Sequence, residues 1–182
     1  MLRHSRFDGG WTRSLRRELL RQRDAVAVLP YDPDRDRVLL VEQFRVGALD
    51  APDGAWLLEA PAGLLEPGES VEDCARRELR EECGLEVGRL ETALRYRSSP
   101  GGTSELVTVL VAEARLDGNG GVFGAAAEDE DIRAHVLPAA KAFALARSGR
   151  VCATTGLVPL LWLELERERL RAAWRPAAAA EA

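Results

Sequence analysis

GLLEPGESVEDCARRELREECGL, residues 63–85, is the stretch from which the fold and chemistry of this chain can be read. Ser70 is a good N-cap, and Asp73 three residues on completes a capping-box-like pair. Gly84 suits the position just past a last turn ending near Cys83. Between them the spacing predicts a helix of about three and a half turns. Val71, Ala75 and Leu79 recur every four residues and form its apolar face. Glu78 and Glu82 are also four apart, and Glu81 lies three from Glu78, so three carboxylates share one surface. Like charges so placed destabilise an isolated helix by roughly a few tenths of a kcal/mol per pair. Divalent cations offset that repulsion, and hard oxygen donors favour Mg²⁺ or Mn²⁺ over zinc. The competing reading is a solvated acidic face. The glycine-bounded loop before the helix and Arg77 inside it favour metal binding.

The rest of the composition narrows the class. The chain has 182 residues, 46% hydrophobic and 30% charged, enough for one good core or one domain plus a small appendage. A net charge of −5 disfavours a general nucleic-acid-binding role. No apolar run approaches a membrane span, and MLRHSRFDGG lacks the apolar core of a signal peptide. Cys74, Cys83 and Cys152 are odd in number without CxxC spacing, which suggests reduced, mostly buried thiols in a cytoplasmic protein. His4 and His135 are the only histidines, so a multi-histidine metal site and a Ser-His-Asp triad are both poorly supported.

Residues 2–7 and 11–20 flank Asp8-Gly9-Gly10 and read as a hairpin. Strands are expected over 25–30, 37–43, 56–62, 92–97, 105–114 and 131–137, with a Gly- and Ala-rich loop over 117–127. Pro138 and Gly149 bracket a short helix, and 155–174 reads as a long final helix. The pattern predicts an α/β (α+β) architecture: a mixed β-sheet in an α/β/α sandwich. Residues 1–22 form an N-terminal β-hairpin or dimerisation segment, 23–174 the main domain and 175–182 a flexible tail. The hairpin is too small to be stable alone, and is expected to pack on something else, such as a second subunit.

Gly63, Glu69, Arg77, Glu78, Leu79, Glu81, Glu82, Gly84 and Leu85 match every fixed position of the pattern G-x5-E-x7-R-E-U-x-E-E-x-G-U, where U is aliphatic. On these residues the chain resembles the Nudix hydrolases, which cleave diphosphates linked to another group. Four further segments, VLLVEQFRVG (38–47), WLLEAPAG (56–63), SSPGGTSE (98–105) and AAEDEDIRAHVLP (126–138), resemble the bacterial ADP-ribose diphosphatase branch, as does Pro100 fifteen residues after Leu85. GDP-mannose and other nucleotide-sugar hydrolases look similar in the SPGG and acidic segments, and remain the alternative.

The resemblance implies a Nudix fold, Mg²⁺ (or Mn²⁺) as two or three ions, and a cytoplasmic homodimer acting on a nucleoside diphosphate sugar, with no nucleic-acid or membrane partner. It implies metal ligation by Glu78, Glu82, Glu130 and the Ala62 carbonyl, with Glu81 supporting the cluster and Glu128 as general base. It implies substrate contacts from Arg45, Leu64, Pro100, Gly101 and Glu105, and from Arg17 and Glu18 reaching into a partner subunit's adenosine pocket. The reaction expected is ADP-ribose plus water to AMP and ribose 5-phosphate. Arg77 and Glu69 are expected to pair, holding the loop on the helix. Two departures stand out: no counterpart of the family's adenine-stacking aromatic precedes Leu2, and an arginine expected shortly after Arg17 is Gln22. A non-catalytic ADP-ribose sensor is the reading from another class.

Overall fold

The computed structural model describes residues 1–118, 120–124 and 129–175. Glu128, four residues of the expected 117–127 loop and most of the expected tail lie outside the described residues. An eight-stranded mixed sheet runs β5-β6-β1-β2-β8-β7, with β3 added to β2 and β4 to β1. Its centre is β1 (Ala25–Asp32), an AVAVLPYD run buried along its whole length. Burial on both faces is what a continuous apolar run demands. β1 lies parallel to β6 (Leu106–Glu113) over seven residue pairs, from Ala25–Val107 to Tyr31–Glu113.

β1 and β2 (Arg37–Phe44) pair only at Tyr31–Val38 and Asp32–Arg37, then part. Into the divergence run β3 (Trp56–Glu59), antiparallel to β2, and β4 (Ala62–Leu64), antiparallel to β1. The continuous strand expected over 56–62 is therefore two strands. Pro61 breaks it because proline has no N–H to donate to a ladder, although its carbonyl still accepts from Val28 N–H at 2.8 Å.

Helix α1 (Val71–Cys83) covers one face and α2 (Ala139–Arg147) and α3 (Thr154–Trp174) the other. Alternation along β1 decides the assignment. Val26 and Val28 pack with Ala75, Leu79 and Cys83 of α1, whereas Leu29 and Tyr31 pack with Leu160, Leu163 and Phe143. Leu79 is fully buried, and truncating it to alanine would cost about 3 kcal/mol. β5 (Leu90–Arg97) and β8 (Ile132–Pro138) complete the sheet near the positions expected. The loop expected over 117–127 contains β7 (Gly121–Phe123), paired to β8. Three residues are too few to show a period; Phe123 packing against the α1 core is what holds the strand in place.

The N-terminal hairpin is looser than expected. It makes single antiparallel bridges, Leu2–Leu15 and Ser5–Trp11, and then its second arm turns away to bridge Leu20 to Thr103 in parallel. Nearly all of residues 1–24 are exposed. Of the three cysteines, Cys74 and Cys83 are buried and Cys152 is exposed. Among the described residues no helix is long and apolar enough to cross a membrane.

Candidate active site

The site is built where α1 crosses the β3–β4 connection. Ser70 caps α1 as expected: its Oγ accepts from Asp73 N–H at 3.1 Å. The reciprocal contact is its own hydroxyl donating to Asp73 Oδ2 at 2.7 Å. At the other end Gly84 is left-handed, at φ 63°, with Leu85 N–H returning to Leu79 O. These caps set the rotation of α1, and the apolar face of Ala75 and Leu79 turns Glu78 and Glu82 toward β4. Both carboxylates are buried, at 7% and 3% exposure. This excludes the solvated acidic face for the pair; Glu81 alone stays half-exposed.

Contacts to β4 are close. Glu82 Oε2 accepts from Ala62 N–H at 3.2 Å. Glu78 rests against Gly63 so tightly that a Cβ there would lie 1.7 Å from its Oε1. The glycine is thus required by the carboxylate fifteen residues on in the chain, and not by backbone torsion. Arg77 does more than the expected pairing. It donates to Glu69 through Nε at 2.9 Å and Nη2 at 3.1 Å, and it also reaches Glu78 Oε1 at 2.6 Å and Glu81 Oε2 at 3.2 Å. Its hydrogen bonds hold the Glu69 carboxyl down at about 2.

A cleft of about 300 Å³ opens over these groups. Ala62, Gly63 and Leu64 of β4 line it together with Glu78, Glu81 and Glu82 of α1 and with Arg23, Arg45 and Glu130. Of the residues singled out in the sequence, Ala62, Leu64, Arg45, Glu78, Glu81, Glu82 and Glu130 therefore meet in one place. Arg17, Glu18, Pro100, Gly101 and Glu105 are not in the described lining of this cleft. Arg17 and Glu18 are exposed on the N-terminal arm, and Pro100 and Gly101 are exposed on the turn whose following residues, Gly102 and Ser104, hydrogen-bond Leu20. Glu128 lies outside the described residues. A second cleft of about 270 Å³, lined by Trp56, Phe44, Asp129 and Asp131, shares Arg45 and Glu130 with the first.

Three residues of the site were not anticipated. Arg23 sits in a run of arginines with nothing to distinguish it. Gly63 is a fixed position of the helix pattern, but the pattern does not say which group lies against it. Glu59 carried a signal that could have been used: a carboxylate within an otherwise apolar strand, WLLE. It is 3% exposed and takes a two-pronged contact from Arg45, Nε to Oε1 at 2.9 Å and Nη2 to Oε2 at 3.0 Å.

The electrostatics of the cleft are unbalanced toward negative charge. Burial pushes the Glu82 carboxyl up to about 8, and neighbouring Glu78 and Glu130 add to it, against the opposing pull of Ala62 N–H and Arg45. Burial also raises Glu78, against the opposing pull of Arg77. Burial works against the Arg45 charge, but Glu59, Glu82 and Glu130 outweigh it and hold the guanidinium charged. Two desolvated carboxylates that the protein itself leaves short of positive charge are a fit for a hard cation, and the donor set is all oxygen. Among the described residues no three acidic, histidine or cysteine side chains already stand at metal-binding spacing; the fit rests on burial and charge. Such an arrangement can hold divalent cations on one wall and anionic oxygens between them and the arginines.

Comparison with known proteins agrees. A family model described as NUDIX domain matches residues 21–151. The chain is 42% identical over 172 residues to the ADP-ribose pyrophosphatase of Escherichia coli K12, covering 94% of this chain and 82% of that protein. It is 38% identical over 176 residues to the ADP-ribose pyrophosphatase of Haemophilus influenzae, covering 95% and 81%. A GDP-mannose pyrophosphatase of Salmonella arizonae is 36% identical over 137 residues, covering 75% and 71%. A crystal structure described as an ADP compounds hydrolase superposes with a TM-score of 0.63 at 24% identity over 93% of this chain and 84% of that one, a likeness of fold. With its complete helix signature, its mixed sheet between helices and this match over most of its length, the chain belongs to the Nudix hydrolase family.

Proposed function

We propose that this cleft hydrolyses the diphosphate of ADP-ribose, giving AMP and ribose 5-phosphate with Mg²⁺ as the activating ion. The observation that carries the reading is the buried, charge-deficient Glu78–Glu82 pair lining one cleft with Arg45 and Arg23. Glu78, Glu82 and Glu130, with the Ala62 carbonyl, are the ligands this reading assigns. When bound, the cations neutralise diphosphate oxygens and lower the pKa of an attacking water. Arg45 contacts the diphosphate and offsets its negative charge. Arg77 fixes Glu78 and Glu81 in place, and Glu128 accepts the proton of the attacking water.

The substrate assignment follows the relatives. Identity to the ADP-ribose pyrophosphatases runs over 94–95% of the chain, against 75% for the GDP-mannose enzyme. The exposed arm with Phe7, Trp11 and Leu19 supports a homodimer in which Arg17 and Glu18 serve the partner's site, while Pro100, Gly101 and Glu105 hold the sugar end. A cytoplasmic place suits such a substrate. The retained glutamates speak against a sensor without turnover.

The test is product analysis with ADP-ribose and GDP-mannose, side by side at equal concentration with Mg²⁺. AMP release from ADP-ribose at higher kcat/KM supports the reading. Preference for GDP-mannose keeps the chemistry and replaces the substrate. Binding of ADP-ribose without turnover would return the sensor.

A further inference from the structure

Arg45 sits in surroundings that should misplace it. Glu82 and Glu130 both attract its charge, and a guanidinium drawn onto them would leave the position facing the diphosphate. Its fork is instead spent on Glu59 through two parallel N–H contacts at 2.9 and 3.0 Å. Glu59 is itself pinned from the opposite layer of the fold: Thr155 Oγ1 donates to Glu59 Oε2 at 2.7 Å. Thr155 is in the first turn of α3, where the positive end of the helix dipole favours a nearby anion. The turn comes this near because residue 156 is glycine. A Cβ there would lie 2.9 Å from Leu58 O and 3.0 Å from Glu59 Cα.

We propose that Thr155 and Glu59 are positioning residues for the reaction: the Thr155 hydroxyl, brought flush to β3 by Gly156, orients the Glu59 carboxylate, which aims Arg45 at the substrate diphosphate. The inference rests on the proposed function of the cleft. It makes the first turn of α3, on the face of the sheet away from the signature helix, part of substrate recognition. Neither residue touches substrate. Their effect passes through Arg45, which contacts substrate in the ground state and the transition state alike, so its misplacement raises KM more than it lowers kcat. A loss of folded protein would do the reverse, lowering apparent kcat and leaving KM as it was.

The experiment compares the parent protein with Thr155→Val, Thr155→Ser and Glu59→Gln by steady-state kinetics on ADP-ribose with Mg²⁺, and by the arginine Nε–H signals in ¹H–¹⁵N spectra, the Arg45 signal assigned by its loss in Arg45→Lys. Thr155→Val is expected to raise KM about fivefold with kcat changed less than about twofold. Thr155→Ser, which keeps the hydroxyl, should return KM to within about twofold of the parent. Thr155→Ala takes the place of the valine variant if that one does not fold. The Arg45 signal should shift or broaden in Thr155→Val and Glu59→Gln and stay in place in Thr155→Ser. A parental KM in Thr155→Val, a serine variant as impaired as the valine one, or an Arg45 signal unmoved in all three would overturn the inference. A parent that turns over no nucleoside diphosphate sugar would instead overturn the reading of the cleft, and the spectra alone would then decide the positioning.

Discussion

Two pairs of carboxylates, all buried except the half-buried Asp36, lie toward opposite ends of β1, and the protein treats them in opposite ways. At the end where β1 and β2 meet, Asp32 accepts from Leu116 N–H, Arg35 N–H and the Arg35 guanidinium, while Asp36 accepts from Tyr31 and the fork of Arg167. Burial acts to raise both, but these donors outweigh it and both acids stay below the ordinary aspartate range. At the end where β4 joins β1, Glu82 has one backbone N–H and two acidic neighbours, and burial carries it up to about 8. The desolvation is common to both. Only the supply of donors differs. Carboxylates that the fold satisfies lock a turn in place, while carboxylates that it leaves in deficit are ready for a cation.

The comparison can be broken in several places. Glu82→Gln should reduce kcat by about a thousandfold, read by initial rates with Mg²⁺, while its melting temperature in chelator rises. In the cation-free protein a raised Glu82 costs stability as pH climbs from the ordinary glutamate value of 4.5 toward about 8. The variant's advantage, roughly 5 °C at pH 8, should therefore shrink toward pH 5. A destabilised variant in chelator would contradict the charge deficit. Gly63→Ala comes next. Its Cβ must displace the Glu78 carboxylate, so activity should fall by about a hundredfold with the folded state kept, as circular dichroism would show.

Asp36→Asn should act in the opposite sense, lowering the melting temperature at pH 7 by about 5 °C. The side chain stays small and polar, so asparagine tolerates the left-handed φ of 56° at this position. Because the Asp36 pKa is depressed, its contribution is present above its unfolded value of 3.8 and lost as pH falls through the folded one. The gap between variant and parent should narrow in thermal melts as pH falls below 3.8; a gap constant with pH would mean that shape and not charge is being measured. The smallest effect is on Mg²⁺ itself. Saturating Mg²⁺ should stabilise the parent by about 2 to 3 kcal/mol and Glu82→Gln by less, as paired melts with and without chelator would show.

Much of this was legible before the structure. Ser70 and Gly84 bounded α1 because capping chemistry is local, and Val71, Ala75 and Leu79 oriented it because a helical period needs only nearby residues. The Glu69–Arg77 pair was also foreseen within one segment. What escaped lay in partners distant in sequence. β7 is held by Phe123 packing on α1, and the break at Pro61 turned one expected strand into two with different neighbours. The N-terminal arm was expected as a hairpin, but its second half bridges Thr103 instead.

The sequence by itself determined the layered α/β architecture, the identity of the signature helix and the clustering of Glu78, Glu81 and Glu82, since periodicity and caps act over four residues or fewer. Only the tertiary structure decided that Glu78 and Glu82 are buried and Glu81 is not, that Gly63 exists to admit Glu78, and that Glu59 stands between Arg45 and Thr155. Burial and donor supply depend on which strands and helices meet, and those contacts join residues as far apart as Glu59 and Thr155, whose side chains come within 2.7 Å.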